Sequence, residues 1–402
     1  MPRGQSTIEY LALVLLAVAV LAAGAAGLHA TGIAEALIGQ IRVAICRAGG
    51  DDCRTPPEPC VVAATTTLDD LTARVAILRL RGGRTLVRER RSDGSERVTL
   101  VTRGGGGAGL GLGADVGAGT WVLGGRLDAA LEARGGRGRI WTLSSHGQAT
   151  ALVRALTRPP ARRGRRALAP PDSTFGDRGL ATSVSGALER VGLSLEAEDL
   201  FTTRVDRRTG ERTLVIRRRT DALGSLGVVG PAGAEGGARR DERAALVVDR
   251  GGRPVRLLLT ATRRVQGGLQ LPGPLRALVA RSGLPLRHGR VVETERRLDL
   301  ADPVNLAAAR AFVRALGDPG LRVGPAVVVT AALRRRLDTA GETRLRLYDL
   351  DVRHGGAHGG LDLGIGIGGG YEHAVEHLRL VGATERDGAG RWRERDDCLL
   401  GV

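Results

Sequence analysis

A long stretch without charge near the N-terminus constrains this chain more than any other feature. Between Glu9 and Glu35 lie 25 consecutive uncharged residues, most of them Leu, Ala and Val. As an α-helix at about 1.5 Å per residue, such a stretch is longer than the ~30 Å hydrocarbon core of a bilayer. The sequence therefore predicts one transmembrane helix, over residues 5–41, ahead of a much larger body.

The residues around this stretch suggest how it is processed. Gly4 ends a short basic leader, and Glu9-Tyr10 stands at the head of the apolar run. This arrangement resembles the class III signal peptides of type IV pilins, especially the Flp and TadE-like pilins. The resemblance implies that a prepilin peptidase cleaves the leader, residues 1–4, from Gln5. It also implies that Glu9 and Tyr10 take part in assembly with other pilin-like subunits.

Glu9 is the residue on which the assembly hypothesis depends. A carboxylate within a membrane helix is costly unless it has a partner, and the amino terminus of a neighbouring subunit would supply one. A cleaved secretory signal peptide fits less well, because its apolar region covers only about 7–15 residues. An uncleaved signal anchor with Glu9 at the headgroup boundary is the alternative. We expect a single-pass plasma membrane protein with its C-terminal body outside the cell.

The four cysteines predict disulfides outside the cell. Cys46, Cys53 and Cys60 lie in a juxtamembrane segment, residues 42–60, and Cys398 lies near the C-terminus. An even number of cysteines beyond a membrane segment favours two disulfides, with three possible connectivities. We favour Cys46–Cys53 and Cys60–Cys398, which would join the two ends of the body. The spacing does not fit a zinc site, and free thiols are the remaining alternative.

The basic residues exclude several classes of enzyme. All 60 of them are Arg, against 43 acidic residues, and the net charge is +17. Without Lys the chain cannot contain a P-loop, a Schiff-base lysine or the essential lysine of a protein kinase. Aromatic residues make up only 2% of the chain, so base stacking on a nucleic acid is not expected. Clusters such as Arg217–Arg219 indicate either solvated faces or contact with membrane lipid headgroups or an anionic cell-wall polymer.

The body is predicted to be α+β, mainly antiparallel β with a few short helices. Glycine-containing turns at 93–94, 209–210 and 250–252 indicate hairpins. Ser145 and Asp302 have the positions of helix N-caps.

An Arg- and Pro-rich linker, residues 158–173, divides the body into two expected α+β subdomains, 61–157 and 174–402.

Two segments alternate glycine with apolar residues, 108–119 and 361–368. A period of two predicts strands with one bare face, where another backbone or a ligand approaches closely. Paired strands packed against a helix or a second sheet are the simpler interpretation, and a membrane-inserting hairpin is the alternative. The glycine string at 364–369 lies inside the strand pattern, so it is not interpreted as a dinucleotide site.

No residue pattern in the sequence indicates an enzyme. Residues 373–377, His-Ala-Val-Glu-His, match the H-x-x-E-H string of inverted zincins, but the segment has the pattern of a strand. Ser144, Ser145 and His146 are sequence neighbours, whereas a catalytic triad is defined by spatial geometry. We expect no catalytic residue, no cofactor and no metal, and therefore a protein that is not an enzyme.

The sequence thus predicts a minor pilin-like component of a tight-adherence or type IV pilus-related system. The alternative is a membrane-anchored surface protein that never assembles and binds anionic polymers or lipid headgroups.

Overall fold

The computed structural model describes residues 58–76, 78–118, 121–158, 169–188, 191–227, 233–270, 287–316, 329–363 and 366–399. Thirteen strands and four helices occur in these ranges. The strands are β1 (Val61–Ala76), β2 (Leu78–Arg91), β3 (Glu96–Ala118), β4 (Trp121–Leu143), β5 (Ser173–Leu188), β6 (Val191–Asp206), β7 (Arg212–Gly227), β8 (Gly233–Val248), β9 (Pro254–Gln270), β10 (Arg287–Asp299), β11 (Glu342–Leu363), β12 (Gly366–Arg386) and β13 (Trp392–Glu394). The helices are α1 (His146–Thr157), α2 (Pro303–Leu316), α3 (Ala331–Ala340) and α4 (Asp396–Leu399).

The first twelve strands form a closed barrel. Each strand pairs antiparallel with the next one in sequence, and β1 pairs with β12, for example through Ala64 and Leu378. The short strand β13 pairs with the end of β12. Closure satisfies the backbone hydrogen bonds of both edges of the sheet, which an open sheet leaves exposed.

The two ends of the barrel differ. The hairpins after β2, β6, β8 and β12 turn at one end, each with a glycine at positive φ: Gly94, Gly210, Gly252 and Gly390. Helices α1 to α3 belong to connections at this same end, which is called the helical end below. At positive φ only glycine is free of Cβ strain, so these four positions set where the chain reverses.

The helices cover part of the outer wall near the helical end. Leu156 of α1 packs with Leu86, Val98 and Trp141 of the wall. Phe312 of α2 and Leu333 and Leu337 of α3 form a second buried cluster, with wall residues that include Leu257 and Leu298. Apolar residues at helical spacing thus bury one face of each helix against the sheet.

The C-terminal segment is fixed to the start of β1. Cys60 and Cys398 form a disulfide with their Cα atoms 5.4 Å apart, which is the pairing expected for these two residues. Both cysteines are buried beside Val62 and Leu380. Cys46 and Cys53 lie outside the described residues.

The predicted fold class is wrong for the body. The body is not an α+β assembly but a β-barrel, whose strands run to 23 residues and whose helices are confined to the connections and the C-terminal segment. Residues 61–157 and 174–402, expected as two subdomains, supply adjacent strands of this barrel, since β4 pairs with β5. No helix in the described ranges has the length and apolarity needed to cross a membrane. The predicted transmembrane helix at 5–41 lies outside those ranges.

The two glycine-alternating segments meet in the structure. Residues Leu112–Ala118 of β3 pair antiparallel with Ala357–Leu363 of β11, in addition to the pairs that build the barrel. This contact lies away from the helical end, where β3 extends past its partner β2. The simpler interpretation of the glycine pattern was paired strands packed against a helix or a second sheet, and of this the pairing is observed.

Candidate functional site

Side chains of the barrel alternate between an exposed outer face and an inner face that carries charge. On β6, Glu198 and Leu200 are buried, whereas Leu195 and Phe201 are exposed. On β5, Asp177 is buried and Leu180 is exposed. Successive residues of a strand point to opposite faces, so the buried residues of these strands face the lumen and the exposed ones face outward.

The outward face of the half away from the helical end carries a belt of exposed apolar side chains. Leu80, Leu131, Leu180 and Val265 are all more than half exposed. The register connects part of the belt in an uncharged row around six strands, namely Leu78, Ala108, Leu131, Thr182, Ala197 and Thr220, and this row ends at Arg240 on β8. Soluble proteins rarely expose several large apolar side chains on one surface.

Towards the helical end the outer face becomes charged. The outward-facing arginines there are exposed and follow directly on the belt, with Arg178 two residues from Leu180. Others are Arg137, Arg139 and Arg212. Charged side chains therefore adjoin the belt on this side.

The inner face carries many ion pairs. Buried inward-facing charged residues are Asp70, Glu132, Asp177, Glu198, Asp221, Asp241, Arg264, Arg344 and Glu385. Arg81 donates from Nε to Asp70 Oδ2 at 2.6 Å. Arg134 lies 2.5 Å from Glu196, 3.0 Å from Glu132 and 3.2 Å from Glu198. Charges removed from bulk water need such partners.

Some of these contacts cross the lumen. Arg264 of β9 donates to Glu376 of β12 at 2.8 Å, although two strands lie between them. Arg134 of β4 reaches past β5 to Glu196 of β6 at 2.5 Å. Side chains from separate parts of the wall therefore brace the lumen.

Inward-facing glycines make room for these long side chains. A Cβ at Gly136 would lie 3.2 Å from Arg103 Cγ and 3.4 Å from Asp177 Oδ2. A Cβ at Gly138 would overlap the ring of Phe175, which lies across that glycine. Glycine in a strand is costly unless something packs over it, and here aromatic and arginine side chains do so.

The histidines of the H-x-x-E-H string do not form a zinc site. His373 lies outward with its Nδ1 2.8 Å from Asp69 Oδ1, and His377 contacts Thr65 at 3.2 Å. Glu376 faces the opposite way, toward Arg264. Within the described part of the chain, no group of three potential ligands could hold a metal ion. The strand geometry separates the glutamate from both histidines.

The Ser144-Ser145-His146 segment has a structural role. Ser145 accepts a hydrogen bond from Gln148 N and is the N-cap of α1, as its sequence position predicted. His146 Nδ1 lies 2.8 Å from Glu96, a carboxylate that also pairs with Arg88. These contacts fix α1 to the wall.

Comparison with known proteins gives only distant similarity. No known protein family and no curated protein matches the sequence. Among solved structures, the chain is similar to the deltaS2 mutant of the TodX monoaromatic hydrocarbon channel, at 6% identity and TM-score 0.21, over 79% of this chain and 90% of that one. It is also similar to the beta domain of the Bordetella autotransporter Brka (6% identity, TM-score 0.25, 78% and 98% covered) and to a Pseudomonas aeruginosa FadL homologue (8%, 0.22, 79% and 90%). At these scores the fold assignment rests on the strand pairing of this chain itself.

The barrel corrects the predicted function. The body is a closed barrel with an apolar outer belt, and not the displayed domain of a minor pilin-like subunit. The partners expected from the sequence are therefore wrong as well, namely prepilin peptidase, other pilin-like subunits and an anionic wall polymer. The alternative of a surface anchor that never assembles is also wrong. The single-pass plasma membrane location is likewise wrong, because the exposed apolar side chains of the described residues stand mainly on the strands of a closed barrel. Gly4, Gln5, Glu9 and Tyr10 lie outside the described residues, so the signal-peptide resemblance stays a prediction.

The charged inner face of the barrel was not predicted from the sequence. Arg217, Arg218 and Arg219 were interpreted as a solvated or lipid-binding cluster, but they alternate faces along β7. Arg217 and Arg219 face inward and pair with Asp241 and Asp221, while Arg218 faces outward and contacts Asp199 at 2.7 Å. The available signal was a charge at every second residue of several strands.

Proposed function

We propose that the barrel spans a lipid bilayer and that its lumen is a water-filled passage for small polar solutes. The supporting observation is the polarity of its wall, which exposes large apolar side chains outward and carries ion pairs inward, beside one inward-facing apolar cluster around Tyr348, Leu350 and the Cys60–Cys398 disulfide. A soluble barrel exposes few large apolar side chains on its outer face. Membrane barrels alternate apolar-out and polar-in along each strand, and a spanning strand needs only about 9–11 residues. The shortest of the twelve strands, β10, has 13.

The lumen retains solvent-accessible surface although charged side chains line it. Arg243 of β8 faces inward, yet its side chain is 48% exposed, and the inward-facing Glu293 side chain is 27% exposed. Eight-stranded barrels are filled by their own side chains, whereas barrels of 16–18 strands hold open aqueous channels. Twelve strands lie between these limits, which favours a narrow passage over an open pore.

Reconstitution into liposomes tests this proposal. The purified chain should float with vesicles after an alkaline wash, and the vesicles should swell in neutral sugars at rates that fall with sugar size. Recovery of the chain in the aqueous fraction, or vesicles as tight as protein-free ones, would contradict it.

A matched pair of variants on β5 sharpens the test. Thr182→Arg places a charge between Leu131 and Ala197 of the belt and should reduce insertion, because an outward Arg at the bilayer midplane costs about 2–4 kcal/mol. Thr174→Arg adds the same charge on the same face near the helical end and should insert as the unaltered chain does. Equal insertion of the two variants would show that the belt does not contact lipid.

A further inference from the structure

One group of inward-facing charged side chains contains more guanidinium groups than carboxylates. Its charged side chains, called the girdle below, are those of Glu89, Arg97, Arg204, Arg217, Asp241, Arg243, Glu293 and Arg346. They comprise five Arg and three acids. Acids are in excess at another place in the lumen, where Arg134 has three glutamates around it.

The pairing within the girdle leaves positive charge over. Arg97 pairs with Glu89, and Arg346 lies 2.5 Å from Glu293 and 3.8 Å from Glu295, a carboxylate that also contacts Arg297 and Arg344. Asp241 is shared, since it accepts from Arg217 Nε at 2.8 Å and from Arg243 Nε at 3.0 Å.

Arg204 adds a further cation. It donates to the hydroxyl of Ser173 at 3.2 Å, and Ser173 in turn contacts Asp206. Asp206 already accepts the backbone N–H groups of Arg208 and Thr209 at the turn. The negative charge of Asp206 is therefore partly neutralised by the N–H groups of the turn. The guanidinium of Arg204 reaches this carboxylate only through the hydroxyl of Ser173.

The girdle reaches from wall to wall. Glu89 lies on β2 and Arg243 on β8, six positions apart in a ring of twelve strands. Arg97 on β3 and Glu293 on β10 are likewise on separate sides of the ring. Since the girdle draws its members from both sides of the wall, a solute that crosses the lumen passes between them.

We propose that the girdle binds small inorganic anions and makes the passage anion-selective. This inference rests on the proposed function. Rings of Arg or Lys give anion and phosphate pores, and a charged constriction with low-dielectric walls concentrates counter-ions. Arg243 is the girdle group most open to the lumen, with its side chain 48% exposed, and its planar fork suits the oxygens of phosphate.

Ion selectivity in planar bilayers tests the proposal. In a tenfold KCl gradient the reversal potential should give a chloride-to-potassium permeability ratio of several-fold. Arg243→Gln and Arg204→Gln should each lower this ratio by about twofold or more, and Arg243→Glu should bring it below one. Millimolar phosphate should reduce the chloride current of the unaltered chain and have less effect on Arg243→Gln. The control Arg263→Gln removes an exposed outward arginine of β9 and should leave the ratio unchanged.

The possible results test anion selection by the girdle separately from the existence of the passage. A non-selective or cation-selective current in the unaltered chain, or an Arg243→Glu ratio equal to that of Arg263→Gln, would overturn anion selection while leaving the passage intact. Arg243→Gln retains the Arg217–Asp241 pair, so it keeps the test valid if Arg243→Glu fails to fold. The absence of current from all variants, with liposomes that do not swell, would overturn the passage and the girdle's role together.

Discussion

Arg264 on β9 places its Nη1 2.8 Å from Oε1 of Glu376 on β12, spanning the inner faces of β10 and β11. Both side chains are largely buried, and Arg264 also donates to Gln266. A contact between strands so far apart in sequence forms only when the barrel has closed. The pair therefore links the charged lumen to the stability of the whole ring.

Removing one member of this pair should destabilise the barrel strongly. Arg264→Gln leaves Glu376 with an uncompensated charge, at a cost on the order of 3 kcal/mol in free energy of unfolding. Urea unfolding in detergent micelles, followed by far-UV circular dichroism, measures it. The double variant Arg264→Gln with Glu376→Gln should lose less than the sum of the two single losses. Arg353→Gln is the control, because the Arg353 side chain is 74% exposed and its ion pair is long at 3.9 Å.

Adding a methyl group at Gly138 should also destabilise the barrel. The new Cβ would overlap the ring of Phe175, so Gly138→Ala should cost about 1–3 kcal/mol through overpacking. Gly82→Ala is the matched control, because a Cβ there has no atom within 4 Å. The same urea experiment compares them, and Phe175→Leu in the Gly138→Ala background should recover part of the loss. Equal stability of the two alanine variants would show that Phe175 does not lie over Gly138.

The Cys60–Cys398 disulfide should make a large contribution to stability. It closes a loop across 338 residues, for which the chain-entropy treatment gives about 6 kcal/mol. Cys60→Ser with Cys398→Ser should lower the urea midpoint by a corresponding amount without opening the barrel, since β1 and β12 remain paired. A midpoint that is the same for the variant and the unaltered chain would contradict the bond.

Two turns at the helical end should respond to acid in the same way. Asp387 accepts the N–H of Arg391 at 3.0 Å and lies 3.1 Å from its guanidinium, and Asp249 has the same contacts with Arg253. The backbone hydrogen bond of Arg391 is the main cause that lowers the pKa of Asp387, and that of Arg253 lowers the pKa of Asp249.

Because the folded-state pKa of each carboxyl is lowered, its contribution is present above the ordinary aspartate pKa of about 4 and is lost as the pH falls through the folded value. Carboxyl NMR titration should show both aspartates titrating below that ordinary value. Arg391→Gln should raise the pKa of Asp387 and leave that of Asp249 unchanged. A pKa of Asp387 that is unchanged by Arg391→Gln would contradict the turn geometry.

Local features of the fold could be predicted from the sequence, and closure could not. The glycine turns at 94, 210 and 252 and the caps at Ser145 and Asp302 depend on a few neighbouring residues, and the structure contains them. Pairing of β1 with β12 joins segments about 300 residues apart, and no local pattern specifies it. The body was therefore divided at 158–173, although the strands on either side are neighbours.

The lumen was missed for a different physical reason. Charged residues are usually solvated on a surface, so Asp177 and Arg217 were not expected inside. Inverted polarity becomes visible only when the alternation along several strands is combined with the register between them. Leu180 and Asp177 then fall on opposite faces of one wall.

Fluorescence quenching by lipid tests the central claim, that the outer belt contacts a bilayer, most directly. Leu131→Trp and Ala130→Trp place a tryptophan on opposite faces of β4 at adjacent positions. In vesicles of brominated phosphatidylcholine, the fluorescence added by Leu131→Trp should be quenched by the lipid and protected from acrylamide in water. The fluorescence added by Ala130→Trp should not be quenched by the brominated lipid. If acrylamide reaches both tryptophans equally and the brominated lipid quenches neither, the barrel does not lie in the membrane.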